Sequence, residues 1–142
     1  MARFWLALSV AVGGAFGSLA RYGVSHAVPE RDGIPVATLL ENAVGAFLLG
    51  LLLESLLRAG PETPRRQWIR LTFGTGLLGG FTTYSALALD AHGLFDDGRA
   101  PAAFAYGVGS VVLGVLTCTL GVVVAAQLAR VRHARSDEGR GS

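Results

Sequence analysis

The residues best suited to binding an ion lie in the stretch GLLGGFTTYSALALD, inside a long apolar segment. Here Gly79 and Gly80 precede Thr82 and Thr83. Glycine tolerates dihedral angles that do not continue a helix, and threonine hydroxyls compete for backbone hydrogen bonds. The pattern therefore predicts an unwound turn near the middle of the segment. Because the carbonyl oxygens freed by such a turn must be satisfied inside protein, we expect a bound cation at the break.

A second candidate site lies in the stretch ATLLENAVGAF, where Thr38 and Asn42 are one helical turn apart. An amide can donate an N–H to an anion without adding a full charge that would hold the anion tightly. These two side chains on one helix face therefore favour the passage of an anion. An interhelical hydrogen bond made by Asn42 is the structural alternative.

Three charged residues lie inside the apolar segments at a similar depth: Arg21, Glu41 and Asp90. Such a charge costs about 2.5 to 3.5 kcal/mol on insertion scales and is tolerated mainly where it is paired or lines a wet cavity. Two explanations of these charges remain open: an ion pair of Arg21 with Glu41 or Asp90, and a role in transport. Near the C-terminal end of the second predicted helix, Glu54 and Arg58 are expected to form a surface ion pair.

Other kinds of chemistry have little support in the sequence. Cys118 is the single cysteine, which excludes a disulfide framework and argues against redox chemistry. The three histidines do not have the spacing of metal ligands. No nucleophile, base and orienting group occur together, so we do not expect an enzyme. We also expect no nucleic-acid partner.

The elements that must position these residues follow from composition. Of 142 residues, 51% are hydrophobic and 15% are charged, with a mean hydropathy of +0.50, which is typical of an integral membrane protein. The sequence predicts an all-α domain over residues 1–130 and a disordered cytoplasmic tail over residues 131–142. Four segments reach the roughly 20 residues of a transmembrane helix, and the third is predicted to be broken near the membrane midplane. They run from about Phe4 to Val28, Pro35 to Arg58, Gln67 to Leu94 and Pro101 to Arg130.

The arginines predict the orientation, since the chain has no lysine. Nine of the 12 basic residues lie near the termini or in the connection between the second and third helices, and three lie toward the other side. By the positive-inside rule, both termini are cytoplasmic in a multi-pass protein of the inner or plasma membrane.

Small residues recur at four-residue steps in all four segments, and such faces allow helices to approach closely in lipid. We expect most of them to serve packing alone. The pairs are Gly13 and Gly17, Ala46 and Gly50, Gly76 and Gly80, and Ser110 and Gly114.

Three stretches together resemble the Fluc/CrcB fluoride channels: GGAFGSLARY, TLLENAVGAFLLG and GTGLLGGFTTYS. The resemblance covers nearly the whole chain. It implies an antiparallel dimer with two narrow fluoride pores, assembled around one structural sodium ion that is not transported. The implied sodium ligands are the main-chain carbonyls of Gly79 and Thr82. The resemblance places the pore-lining amide at Asn42 and the first of two pore phenylalanines at Tyr84. The other expected pore-lining residues are Thr38, Ser85 and Ser110.

The chain also departs from the family pattern. The family string is TTFSTF, whereas this chain has TTYSAL, so Leu87 cannot present an aromatic ring edge to an anion. Glu41 is also unusual beside the pore asparagine. An antiparallel homodimer requires one sequence to insert in both orientations, which the bias of nine arginines to three disfavours. We therefore expect an oppositely oriented homologous partner subunit, with a homodimer as the alternative.

Two other functions are alternatives to a conducting fluoride channel subunit. Leu87 favours a non-conducting partner subunit in a heterodimeric channel. A small multidrug-type proton-coupled exporter would also have four helices. Such an exporter would need a carboxylate in the first helix, where this chain has Arg21 as its charged residue.

Overall fold

The computed structural model describes the backbone of residues 2–138 and the side chains of residues 3–131. Within this range the chain is all-helical and folds as four segments joined by short loops. In chain order, the elements are α1 (Ala2–Ala27), α2 (Val36–Arg58), α3 (Pro64–Ile69), a π-helix (Arg70–Leu78), α4 (Gly79–Phe81), α5 (Tyr84–Asp96) and α6 (Ala100–Glu138). The third segment thus consists of four pieces, from α3 to α5.

Three helices are long and apolar enough to cross a membrane: Arg3–Ala27, Val36–Arg58 and Ala100–Val131. Large apolar side chains such as Phe16 and Phe104 are exposed along them. A surface of this kind suits contact with lipid. The backbone polar groups of these segments are hydrogen-bonded within each helix, as the bilayer requires. The chain is therefore a multi-pass membrane protein.

The third segment is interrupted, as predicted, but the glycines are not the unwound residues. Gly79 is helical, with φ −65° and ψ −33°, and α4 includes Gly80. The extended residues are Thr82, with φ −81° and ψ 156°, and Thr83, with φ −151° and ψ 119°. The glycine pair therefore lies before the break, in the last turn of helix.

The glycines instead allow α1 to pack closely on the third segment. A Cβ added at Gly17 would overlap the carbonyl oxygen of Leu77, and one added at Gly80 would overlap that of Gly14. Backbone lies against backbone at both points, so the prediction of close packing is confirmed there. At Gly114, by contrast, an added Cβ would meet nothing within 4 Å.

The loop between α1 and α2 marks one end of the bundle, which we call the hairpin end. Arg31 and Ile34 form an isolated antiparallel bridge around Asp32, with φ 53°, and Gly33, with φ 68°. An Asp-Gly pair suits such a turn because both residues tolerate the left-handed region. Arg99 Nη1 donates to Gly33 O at 3.2 Å, which joins this loop to the one that precedes α6.

The opposite end is the arginine end, defined by Arg58, Arg65, Arg66 and Arg70. Thr63 caps α3 there, because its Oγ1 accepts a hydrogen bond from the Arg66 N–H at 3.3 Å. Proline follows the cap, in a position where a missing N–H has no cost. The predicted pair of Glu54 with Arg58 is confirmed, with 2.6 Å between Oε1 and Nε.

Helix α6 begins in the sequence APAAF and continues to Glu138. It therefore extends into the segment 131–142, for which the sequence predicts a disordered tail. Residues 139–142 lie outside the described residues.

Candidate functional site

Asn42 joins α2 to the break in the third segment. Its Nδ2 donates to Thr83 O at 3.1 Å, and its Oδ1 accepts from the Thr83 N–H at 2.8 Å. We call this pair of bonds the Asn42–Thr83 clasp. It satisfies both backbone groups of an extended residue, so the interhelical bond considered for Asn42 is present. The amide still has a second N–H on Nδ2 with which to bind a ligand.

The break removes the usual helical donor from the carbonyl oxygens of Gly79 and Thr82. In a continuous helix, Gly79 O would accept from the Thr83 N–H, which is here bonded to Asn42. Likewise, Thr82 O would accept from the Ala86 N–H, which is here bonded to Thr83 Oγ1 at 3.1 Å. Among the residues that the structure describes, no hydrogen bond reaches either oxygen. Oxygens left in this way inside a membrane protein fit the role of cation ligands.

Gly80 O, between these two carbonyls, does have donors. Arg21 Nε donates to it at 3.3 Å, and Ser18 Oγ lies 3.5 Å away. The Arg21 side chain therefore satisfies the backbone beside the break. No ion pair among the described side chains joins Arg21 to Glu41 or Asp90 in this structure.

A groove of about 360 Å³ runs along the break, between α2, the third segment and α6. Its wall also contains Leu78, Leu87 and Val111. The groove thus has a few polar groups on a largely apolar surface. The sequence-predicted residues that line the groove are Asn42, Gly79, Thr82, Tyr84 and Ser110.

Two other predicted pore residues lie outside this lining. Thr38 is buried beside the hydroxyl of Tyr106. Ser85 is exposed, and its Oγ is 3.1 Å from Thr83 Oγ1. The structure therefore brings Ser85 to the break but places Thr38 nearer the hairpin end.

Tyr84 and Leu87 follow the break and differ sharply in exposure. Tyr84 is 82% exposed, whereas Leu87 is buried in a cluster with Leu94, Ala103 and Tyr106. Both residues also line a second groove of about 390 Å³ between α5 and α6. The aromatic ring is thus available to a ligand or a partner, and the leucine faces protein.

Sequence reasoning missed a polar network near the hairpin end. The Tyr106 hydroxyl lies 2.8 Å from Asp90 Oδ2 and 3.1 Å from Pro35 O, so it connects α6 with α5 and with the start of α2. Glu41 is 1% exposed and accepts a hydrogen bond from Ser25 Oγ at 2.7 Å. The buried carboxylate of Glu41 and the half-buried carboxylate of Asp90 are therefore held by hydroxyl donors, for which the sequence offers no signal beyond the presence of these residues.

Acidic, histidine and cysteine side chains do not gather anywhere in the described part of the chain in a group of three or more that could hold a metal. A cation at the break would therefore rely on backbone oxygens. The residues that line the groove include Gly79 and Thr82, which carry such oxygens, and Asn42 and Ser110, which are uncharged hydrogen-bond donors.

Comparison with known proteins gives a consistent result. The family described as "CrcB-like protein, Camphor Resistance (CrcB)" matches residues 8–122. "Fluoride-specific ion channel FluC 2" of Leifsonia xyli is 43% identical over 121 residues, which cover 85% of this chain and 83% of the relative. "Fluoride-specific ion channel FluC 1" of Cutibacterium acnes is 48% identical over 118 residues, or 82% and 81% of the two chains.

A third relative extends the match. "Fluoride-specific ion channel FluC" of Deinococcus radiodurans is 40% identical over 131 residues, which cover 88% of this chain and 98% of the relative. The matched range 8–122 includes the break, the Asn42–Thr83 clasp and the groove along the break. The chain therefore belongs to the CrcB family.

Proposed function

We propose that the chain is a subunit of a fluoride-specific ion channel that lets fluoride leave the cytoplasm passively. The observation that carries this proposal is the groove in which Asn42, Tyr84 and Ser110 lie beside the break. The three relatives described above are fluoride-specific ion channels by name. The function is that of a channel and not of an enzyme.

Uncharged donors are the physical basis of the proposal. A fluoride ion that leaves water must find replacement donors, and conduction requires that it can also leave them. The second amide N–H of Asn42, the Ser110 hydroxyl and the positive edge of the Tyr84 ring meet this condition without a fixed charge. Thr38 and Ser85 would extend the polar path beyond the groove.

Fluoride efflux from liposomes tests the function directly. Liposomes that contain the purified protein should release fluoride and retain chloride, with protein-free liposomes as the blank. Release of both anions at similar rates would contradict a fluoride-specific pore. Absence of fluoride release from folded protein would favour the non-conducting partner subunit, the second candidate, which the buried Leu87 supports.

We also propose a structural sodium ion held by the carbonyls of Gly79 and Thr82. The support is that neither oxygen receives a hydrogen bond from a described residue and that both residues line the groove. Sodium would take the place of the missing N–H donors as the positive partner of these oxygens. The Asn42–Thr83 clasp would hold the oxygens in place. Replacing sodium with a large organic cation should reduce both dimer formation and fluoride efflux. Insensitivity of both would show that no sodium is needed.

The proposed partner is an oppositely oriented homologous subunit, with both termini of this chain in the cytoplasm. Nine basic residues against three favour a single orientation in the membrane. An antiparallel pair then needs a second chain of opposite charge bias.

A charge-balanced variant of the same chain tests this partner proposal. Four substitutions to Gln lower the basic count on one side from nine to five, and two substitutions to Lys raise the other from three to five. We expect the balanced variant to insert in both orientations and to give higher fluoride efflux than the wild type. Equal labelling of wild-type C-termini from both sides, with full efflux, would instead establish a homodimer. The substitutions are Arg3→Gln, Arg65→Gln, Arg66→Gln, Arg70→Gln, Glu30→Lys and Asp97→Lys.

A further inference from the structure

The arginine end carries another groove, of about 350 Å³, which is separate from the groove along the break. Leu53, Leu56 and Leu57 of α2 form its apolar wall, and Leu57 is 73% exposed. Arg66 and Arg70, from the start of the third segment, also line it. One groove thus combines an aliphatic wall with two guanidinium groups.

The two guanidinium groups have donors to spare. Arg66 Nη1 donates to Pro61 O at 2.7 Å, and Arg70 Nε donates to Glu62 Oε1 at 2.8 Å. A guanidinium group carries five N–H donors, so each arginine keeps several beyond these bonds. Glu62 also lines the groove, and one carboxylate against two guanidinium groups leaves its mouth with a net positive charge.

Trp68 indicates where this groove lies relative to a bilayer. It is 44% exposed and packs edge-on against Phe73, with 6.2 Å between the ring centroids. Tryptophan is enriched at the membrane–water interface, where its ring sits among the lipid headgroups. Since Trp68 lies between Arg66 and Arg70 in the chain, these arginines are close to headgroup level. The leucines belong to a membrane-crossing helix.

We propose that this groove binds one anionic phospholipid, with its phosphate at Arg66 and Arg70 and an acyl chain along Leu53 and Leu57. Arginine binds phosphate through parallel N–H donors, and an aliphatic chain matches the leucine wall. The net positive mouth selects an anionic lipid over a zwitterionic one. A free phosphate ion would make no use of the apolar wall.

Lipid binding to the purified full-length protein tests the proposal independently of channel function. The probes are phosphatidylglycerol and phosphatidylcholine, whose retention by the protein is compared by native mass spectrometry. The wild type should retain phosphatidylglycerol preferentially. Replacing one arginine, as in Arg66→Gln or Arg70→Gln, should lower that preference about fivefold, which corresponds to about 1 kcal/mol for one basic residue near a lipid surface. Arg70→Lys should keep most of the preference.

Two control variants separate a built site from diffuse attraction. Arg65→Gln removes the same charge from the same connection without altering the lining of the groove, so it should leave the preference nearly intact. Leu53→Trp should block acyl-chain binding while leaving both arginines in place. Equal retention of the two lipids by the wild type, or an equal loss for Arg65→Gln and Arg66→Gln, would overturn the proposal. Displacement of the lipid by inorganic phosphate alone would do the same.

Discussion

Replacement of Asn42 by Asp should reduce fluoride efflux by at least about a hundredfold. A carboxylate cannot donate to Thr83 O, which now receives an N–H at 3.1 Å, so half of the Asn42–Thr83 clasp is lost. The new charge also faces the groove. Even at an effective dielectric constant of 20, two like charges about 4 Å apart repel by roughly 4 kcal/mol. This repulsion alone corresponds to about a thousandfold at about 1.4 kcal/mol per factor of ten.

Matched variants identify the cause of that loss. Gln127→Glu makes the same change from amide to carboxylate at an exposed position of α6, outside the groove along the break, and should leave efflux nearly unchanged. Asn42→Ala removes the clasp without adding charge, so it should impair efflux less than Asp does. Thermal unfolding of each protein in detergent would show whether it is folded. Normal efflux from folded Asn42→Asp protein would remove this residue from the anion path.

The second large effect should distinguish two adjacent glycines. Gly80→Ala should lower the free energy of unfolding by about 1 to 3 kcal/mol, the usual cost of overpacking, because its Cβ would overlap the backbone of Gly14. Gly79→Ala should be nearly neutral for folding, since the nearest atom to its added Cβ is Gly74 O at 3.9 Å. Thermal unfolding of the two purified variants provides the comparison.

Outcomes for Gly79 also bear on assembly. This residue lines the groove along the break and does not contact α1 closely, so a Gly79→Ala protein of normal stability that fails to dimerise would support the proposed sodium site. Equal destabilisation by both substitutions would contradict the explanation that Gly80 is required for the close packing of α1 on the third segment.

Much of the helix layout could be predicted because it depends on local sequence. The first and second helices were predicted over about Phe4 to Val28 and Pro35 to Arg58, and they occur as Ala2–Ala27 and Val36–Arg58. Long apolar runs bounded by proline, glycine and charge determine such elements without help from distant residues.

The form of the third segment could not be predicted in the same way. The π-helix from Arg70 to Leu78 has no sequence signature, and it packs against α1. The break occurs at Thr82 and Thr83, and not at the glycines, because Asn42 provides both hydrogen-bond partners that Thr83 would otherwise lack. That partner is 41 residues away in the chain, so local preferences do not show it.

The candidate site was predictable to a similar extent. Asn42, Tyr84 and Ser110 meet in one groove, and the resemblance to a family identified the first two. Thr38 lies one turn before Asn42, but four residues at 3.6 per turn rotate a side chain by about 40°. This rotation turns the Thr38 side chain away from the groove, and Thr38 is buried beside Tyr106.

The break in the third segment also has a consequence for synthesis of the chain. A segment with unsatisfied backbone groups enters lipid only at a cost, unless partners are already present. The side chains that bond to Gly80 O and to the Thr83 backbone are Ser18, Arg21 and Asn42, and all three belong to α1 and α2. Because a ribosome makes α1 and α2 first, these partners have already been translated when the break emerges. The last helix contributes to none of these bonds, so the order of translation suits the stepwise insertion of a segment that could not easily enter the membrane alone.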